Sequence, residues 1–135
     1  MTRLGRILVA LALAAFASAP ERAGAQTQFY RGKQVSMLIA SGAGGGYDAY
    51  ARAFARHMAR HIPGNPNIVP KNVPGAGGLI AANTLYNSAA PDGLTFAALT
   101  NGAAMDPLFG ERAARFDGQK FQWLGSIGKL ENICV

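Results

Sequence analysis

Two glycine-rich segments constrain the fold of this chain more than any other feature. The first glycine loop (residues 41–48, SGAGGGYD) follows a short uncharged apolar run, residues 35–40, that is typical of a buried strand. The second glycine loop (residues 75–78, GAGG) follows another short run, residues 67–73, and a helical pattern comes after each loop. The order strand, loop, helix occurs twice before a third strand at residues 94–100. This alternation predicts an α/β domain with a parallel sheet.

The stretch between the two loops predicts an amphipathic helix over residues 49–61. Asp48 stands where a first-turn acid stabilises a helix N-terminus. An apolar stripe that recurs every four residues is expected to face the sheet: Tyr50, Phe54, Met58 and Ile62. Arginines recur at the same spacing on another face and are expected to meet water: Arg52, Arg56 and Arg60.

Weaker patterns complete the predicted sheet and its second helix. Pro70 cannot donate a hydrogen bond to a neighbouring strand, so the second strand is expected at an edge of the sheet. Residues 121–127 are compatible with a fourth strand. The helix after the second loop is expected to pack through Leu79, Ala82, Leu85 and Tyr86.

Residues 1–25 have the pattern of a secretory signal peptide. Arg3 and Arg6 precede an apolar run, residues 7–16, which is too short to span a membrane. Small residues at positions 23 and 25 predict cleavage after Ala25. Removing this segment lowers the formal net charge of +6 and leaves a mildly basic chain. No cluster of Lys and Arg remains, so nucleic acid is not an expected partner.

Both glycine loops are suited to bind an anion. Glycine lets backbone N–H groups approach a ligand because it has no Cβ, and a helix N-terminus favours negative charge. In a parallel sheet both loops leave at the carboxyl edge, where α/β proteins bind ligands, and Thr100 and Asn101 follow the third strand there. The pattern predicts a pocket for a carboxylate or phosphate. The alternative is that the glycines serve only tight turns and close packing.

Other chemistries find less support in the sequence. Residues 44–49 fit the loose dinucleotide pattern G-x-G-x-x-A, but residues 63–75 contain no Asp or Glu for a ribose hydroxyl. His57 and His61 are spaced for one metal ion, yet the chain has no third His, so no metal site is expected. No cofactor is expected either. An exported α/β enzyme that uses the same anion pocket is the alternative function.

Several motifs occur in the order and spacing of one known family. They are Phe29-Tyr30-Arg31-Gly32-Lys33, Gly44-Gly45-Gly46-Tyr47-Asp48, Asn72-Val73-Pro74-Gly75-Ala76-Gly77-Gly78 and Ala90-Pro91-Asp92-Gly93. From residue 29 onward the chain resembles the solute receptors of tripartite tricarboxylate transporters, also called Bug receptors. The resemblance implies a non-enzymatic periplasmic protein that captures a small organic carboxylate and presents it to the membrane subunits of the transporter.

The resemblance also implies a fold and a set of site residues. The implied fold is that of a type II periplasmic binding protein (Venus flytrap), incomplete in this chain. Residues 26–120 are then the first segment of domain 1, and residues 121–135 begin the crossover toward domain 2. The chain would be part of a receptor that is a monomer when full length, or a nonfunctional truncated product. The implied ligand-binding residues are Ser41, Gly42, Ala43, Gly44, Gly45, Gly46, Tyr47, Asp48, Gly75, Ala76, Gly77, Gly78, Thr100 and Asn101.

Overall fold

The computed structural model describes residues 29–128 of the chain. The predicted signal peptide lies outside the described residues. The main elements, in chain order, are β1 (Gln34–Ile39), α1 (Gly46–Met58), β2 (Asn67–Asn72), α2 (Leu79–Asn87) and β3 (Thr95–Ala98). Short 3₁₀ turns occur at Ala59–His61, Ala76–Gly78 and Gly118–Lys120. The predicted alternation of strands and helices is confirmed.

The three strands form one parallel sheet in the order β2-β1-β3. Ile39 of the central strand lies opposite Asn72 on one side and Ala98 on the other. Pro70 lies in the edge strand β2, as predicted. Both ladders continue to the strand ends, where the Val73 N–H donates to the Ile39 carbonyl (2.8 Å) and the Ala40 N–H donates to the Ala98 carbonyl (3.0 Å). All three strands therefore end at one edge of the sheet.

The main core lies between α1 and the sheet, and it differs from the predicted helix face. Its buried members are Val35, Met37, Ile39, Ala51, Ala55 and Ile68, with Phe54, Met58 and Ile62 packed at its margin. Tyr50, predicted to face the sheet, is instead 69% exposed. Residues four apart on a helix are offset by about 40°, so a strict four-residue stripe winds away from the sheet. The small side chains of Ala51 and Ala55 fill the face toward the sheet.

A second, smaller core joins α2 to the chain after β3. Leu79, Ala82 and Phe116 are buried in it, and Tyr86 and Phe121 pack against them. The Asn83 side chain fastens this segment to α2, because it donates to the Ala113 carbonyl (2.9 Å) and accepts from the Arg115 N–H (2.7 Å). The expectation of a fourth strand at residues 121–127 is wrong, since these residues form no strand and those after Phe121 are exposed.

Among the described residues, no helix has the length and apolar character needed to cross a membrane.

Candidate functional site

The carboxyl edge of the sheet brings the predicted site residues together. The Thr100 hydroxyl donates to the Gly77 carbonyl (3.1 Å), which ties the end of β3 to the second glycine loop. The Tyr47 hydroxyl lies 3.5 Å from the Asn101 Oδ1 and links the first glycine loop to the same strand end. Both glycine loops, Thr100 and Asn101 therefore border one surface.

The first glycine loop leads directly into the start of α1. The cap residue Gly45 is extended, and no side chain caps this end of the helix. One amide of the loop is already used, because the Gly44 N–H donates to the Asp48 Oδ2 (2.9 Å). The N–H groups of residues 46–48 in the first turn form the positive end of the helix dipole, which lies at the edge of the sheet.

The second glycine loop has an unusual backbone, since all four of its residues have positive φ. The values are +128° for Gly75, +47° for Ala76, +65° for Gly77 and +105° for Gly78. Ala76 is the unexpected member, because a residue with a Cβ loses about 1 kcal/mol in the left-handed region. No side chain caps the 3₁₀ turn or the start of α2 that follows.

Gly78 is required where the second loop packs on the strand ends. A Cβ at this position would lie 3.1 Å from the Thr100 Cγ2 and 3.2 Å from the Ala40 Cβ. The loop can therefore approach β1 and β3 closely only when this residue is glycine.

A partly buried hydrogen-bonded network connects the first loop to β2. We call Asp48, Arg52 and Asn72 the anchor triad. The Asp48 Oδ1 accepts from the Arg52 Nε (2.9 Å) and from the Asn72 Nδ2 (2.8 Å). The Arg52 Nη2 donates to the Asn72 Oδ1 (2.7 Å), and the Asn72 Nδ2 also donates to the Ser41 carbonyl (2.9 Å). Asp48 is only 4% exposed, so its carboxylate lies inside the protein.

The anchor triad stabilises the charged form of Asp48. The hydrogen bond from Arg52, followed by those from the Gly44 N–H and the Asn72 amide, lowers the pKa of Asp48 to about 2. Both carboxylate oxygens accept hydrogen bonds from the protein itself. The Asp48 side chain, which was predicted to bind ligand, is therefore used in hydrogen bonds within the protein. Its backbone N–H is the group that stays at the helix N-terminus for a ligand.

Sequence reasoning missed Arg52 and Asn72 as residues of this region. Arg52 was expected to meet water, but its guanidinium pairs with Asp48. The spacing of four residues between Asp48 and Arg52 is a signal for such a pair on a helix. Asn72 has no comparable local signal, because its partners Asp48 and Ser41 lie 24 and 31 residues away in the chain.

The loop surface is open rather than enclosed. Residues 42–47 and 75–77 are exposed. Ser41 differs from them, since its hydroxyl oxygen is buried and has no hydrogen-bond partner within residues 29–128. Two shallow depressions lie elsewhere: one of about 300 Å³ between α1 and β2, bordered by Arg56 and Ile68, and one of about 240 Å³ beside Trp123.

Metal-binding side chains are not grouped in this part of the molecule. In the described range, no three His, Cys, Asp or Glu side chains lie close enough together to hold a metal ion.

Comparison of the chain with protein-family models, with curated proteins and with solved structures gives no match in any of the three.

Proposed function

We propose that this chain belongs to a periplasmic solute receptor that captures a small organic carboxylate at its two glycine loops. The observation that carries the proposal is the meeting of two helix starts, neither capped by a side chain, at one edge of the sheet. Thr100 and Asn101 complete the border of that surface through their contacts with Gly77 and Tyr47.

Backbone amides at such an edge can bind a carboxylate without a cationic side chain. Each helix start carries about half a positive charge, and an anion there gains roughly 0.3–1 kcal/mol per helix on an exposed surface. Direct N–H hydrogen bonds to a charged carboxylate add to this gain. A carboxylate placed between the two starts interacts with both.

The motifs and the N-terminal pattern support the transport role. The segments from Asn72 to Gly78 and from Ala90 to Gly93 resemble motifs of the Bug receptors in order and spacing. The predicted signal peptide over residues 1–25 agrees with export. In the proposed mechanism, the described α/β unit supplies one side of a cleft, a second domain closes over the bound anion, and the closed receptor docks on the membrane subunits.

Calorimetric titration of the full chain tests the proposal. Citrate and succinate are the probes, and the uncharged diamide of succinate is the matched ligand control. We expect saturable binding of a carboxylate and none of the diamide, because the amides of the site recognise negative charge. The proposal is contradicted if the diamide binds with the same affinity as succinate, or if neither carboxylate binds.

A pair of variants locates the site. Gly77→Val places a branched side chain at a backbone φ of +65°, in space where no protein atom lies within 4 Å of the added Cβ. We expect it to abolish carboxylate binding. Arg56→Ala, on an exposed part of α1, is the control and should leave the Kd within about twofold. An equal loss of affinity in both variants would show that the carboxylate site does not lie at the glycine loops.

A further inference from the structure

Asn72 occupies a bridging position in the anchor triad. It is the last residue of β2, three positions before the second glycine loop begins at Gly75. Its side-chain amide donates both to the Ser41 carbonyl (2.9 Å) and to the Asp48 Oδ1 (2.8 Å) of the first loop. One side chain thus fixes the distance between the strand that leads into the second loop and both ends of the first.

Arg52 has an electrostatic part in the same triad. The Asp48 carboxylate lies in the first turn of α1, among the amides that face the carboxyl edge of the sheet. A full negative charge at that place would repel an incoming carboxylate. The Arg52 guanidinium, with its Nε 2.9 Å from the Asp48 Oδ1, balances that charge and leaves the helix start attractive to anions.

We infer that Arg52 and Asn72 are positioning residues of the carboxylate site, which hold the first loop in place and neutralise Asp48 without touching the ligand. This inference rests on the proposed function. The loop amides bind the carboxylate, and the two side chains behind the loops control how tightly they bind it.

The chain offers matched controls for both residues. Arg56 lies one turn further along α1 than Arg52, is exposed, and has no salt bridge to any residue in the described range. Asn83 resembles Asn72 in using its amide for two contacts with a neighbouring segment, at Ala113 and Arg115, and neither contact involves a glycine loop. Substitution of Arg56 or Asn83 should therefore disturb structure locally and leave the site unchanged.

The first measurement needs no ligand. NMR spectra of the full chain report the Gly44 amide, and a pH titration reports the Asp48 carboxyl. We expect Arg52→Ala to raise the pKa of Asp48 by about one pH unit and to shift the Gly44 amide resonance, while Arg56→Ala changes neither. Asn72→Ala should shift the amides of residues 41–48, and Asn83→Ala should not. Unchanged resonances in both triad variants would overturn the inference.

The second measurement is titration with citrate. We expect Arg52→Ala and Asn72→Ala to raise the Kd on the order of tenfold, and Arg52→Lys to recover part of the loss. The double variant Asp48→Asn/Arg52→Ala should bind more tightly than Arg52→Ala, because it carries no uncompensated carboxylate. A purely structural role for Arg52 predicts the opposite order.

The outcomes separate the two proposals. If the wild-type chain binds citrate and the triad variants bind it equally well, the positioning role is wrong and the receptor function stands. If folded wild-type chain binds none of the carboxylates, the receptor function is wrong and the positioning role falls with it. Far-UV circular dichroism identifies any variant that fails to fold, and Arg52→Lys then replaces Arg52→Ala in the comparison.

Discussion

The two glycine loops have similar sequences and similar places in the fold, but different interactions hold them. The first loop is fastened by a buried charge, since Asp48 accepts from Gly44, Arg52 and Asn72. The second loop has no charged residue and is held by backbone conformation and by the contact of Gly78 with Thr100 and Ala40. We therefore expect the first loop to respond to charge and pH and the second to respond to side-chain volume.

The largest expected effect is at the second loop. Gly78→Val combines an unfavourable φ of +105° with close approach to Thr100 and Ala40, so it should lower the free energy of unfolding by about 3 kcal/mol. Urea denaturation of the full chain measures this. Gly110→Val is the control, because its φ of +78° gives similar backbone strain in open space, and it should cost about 1–2 kcal/mol. Equal costs would show that the contact with Thr100 and Ala40 has no importance.

The first loop should show its dependence on charge as a dependence on pH. The folded pKa of Asp48, about 2, is below its ordinary value of 3.8, so the triad stabilises the protein above about pH 4 and loses this effect as the pH falls through about 2. Asp48→Asn should be less stable than wild type at about pH 7, and the difference should shrink at about pH 3. Urea denaturation at both values is the measurement. A constant difference across this range would contradict the charge-based account of the first loop.

A smaller effect of opposite sign is expected within the second loop. Ala76→Gly removes the strain of a φ of +47°, and this gain exceeds the added freedom of the unfolded chain. We expect a net rise in the free energy of unfolding of about 0.5 kcal/mol. Ala53→Gly in the middle of α1 is the control and should lower it by about 1 kcal/mol. Destabilisation by both changes would show that Ala76 is not strained.

The smallest effect should come from the contact that joins the first loop to the end of β3. The Tyr47 hydroxyl and the Asn101 Oδ1 are exposed and 3.5 Å apart, which is at the limit of a hydrogen bond. Tyr47→Phe should change the free energy of unfolding by less than about 0.5 kcal/mol. A thermal melt is the measurement. A larger change would show that this contact has a structural role and that the first loop, like the second, is held partly by uncharged contacts.

Much of the fold follows from local pattern. The uncharged run before the first loop predicts the central strand, and Pro70 predicts the edge position of β2, as the sheet order confirms. The buried face of α1 was predicted less well. The regular spacing of Tyr50 and Phe54 drew attention to large side chains, while the helix packs on the sheet through Ala51 and Ala55. Small residues give a weak hydrophobic signal even where they form the closest contacts.

The candidate site, like the fold, could be predicted from the sequence only in part. The glycine loops, Thr100 and Asn101 could be placed at one edge from the sequence, because the carboxyl ends of parallel strands meet there. The burial of the Asp48 side chain could not be predicted, since it depends in part on a donor from another strand, Asn72 of β2. Residues 121–127 failed as a strand for a related reason, because apolar character alone does not specify whether a segment pairs with a sheet or packs on a helix, as Phe121 does.

The sequence by itself determined the alternation of strands, glycine loops and helices, because turn residues and apolar periodicity act over a few neighbouring positions. Only the tertiary structure decided that Asp48 is buried beside Asn72, and that Gly78 packs on Thr100 and Ala40. These contacts join residues up to tens of positions apart. The contacts of Asn72 with Asp48 and of Gly78 with Thr100 and Ala40 form only when the parallel sheet brings the strand ends to one edge, so no local signal in the chain can specify them.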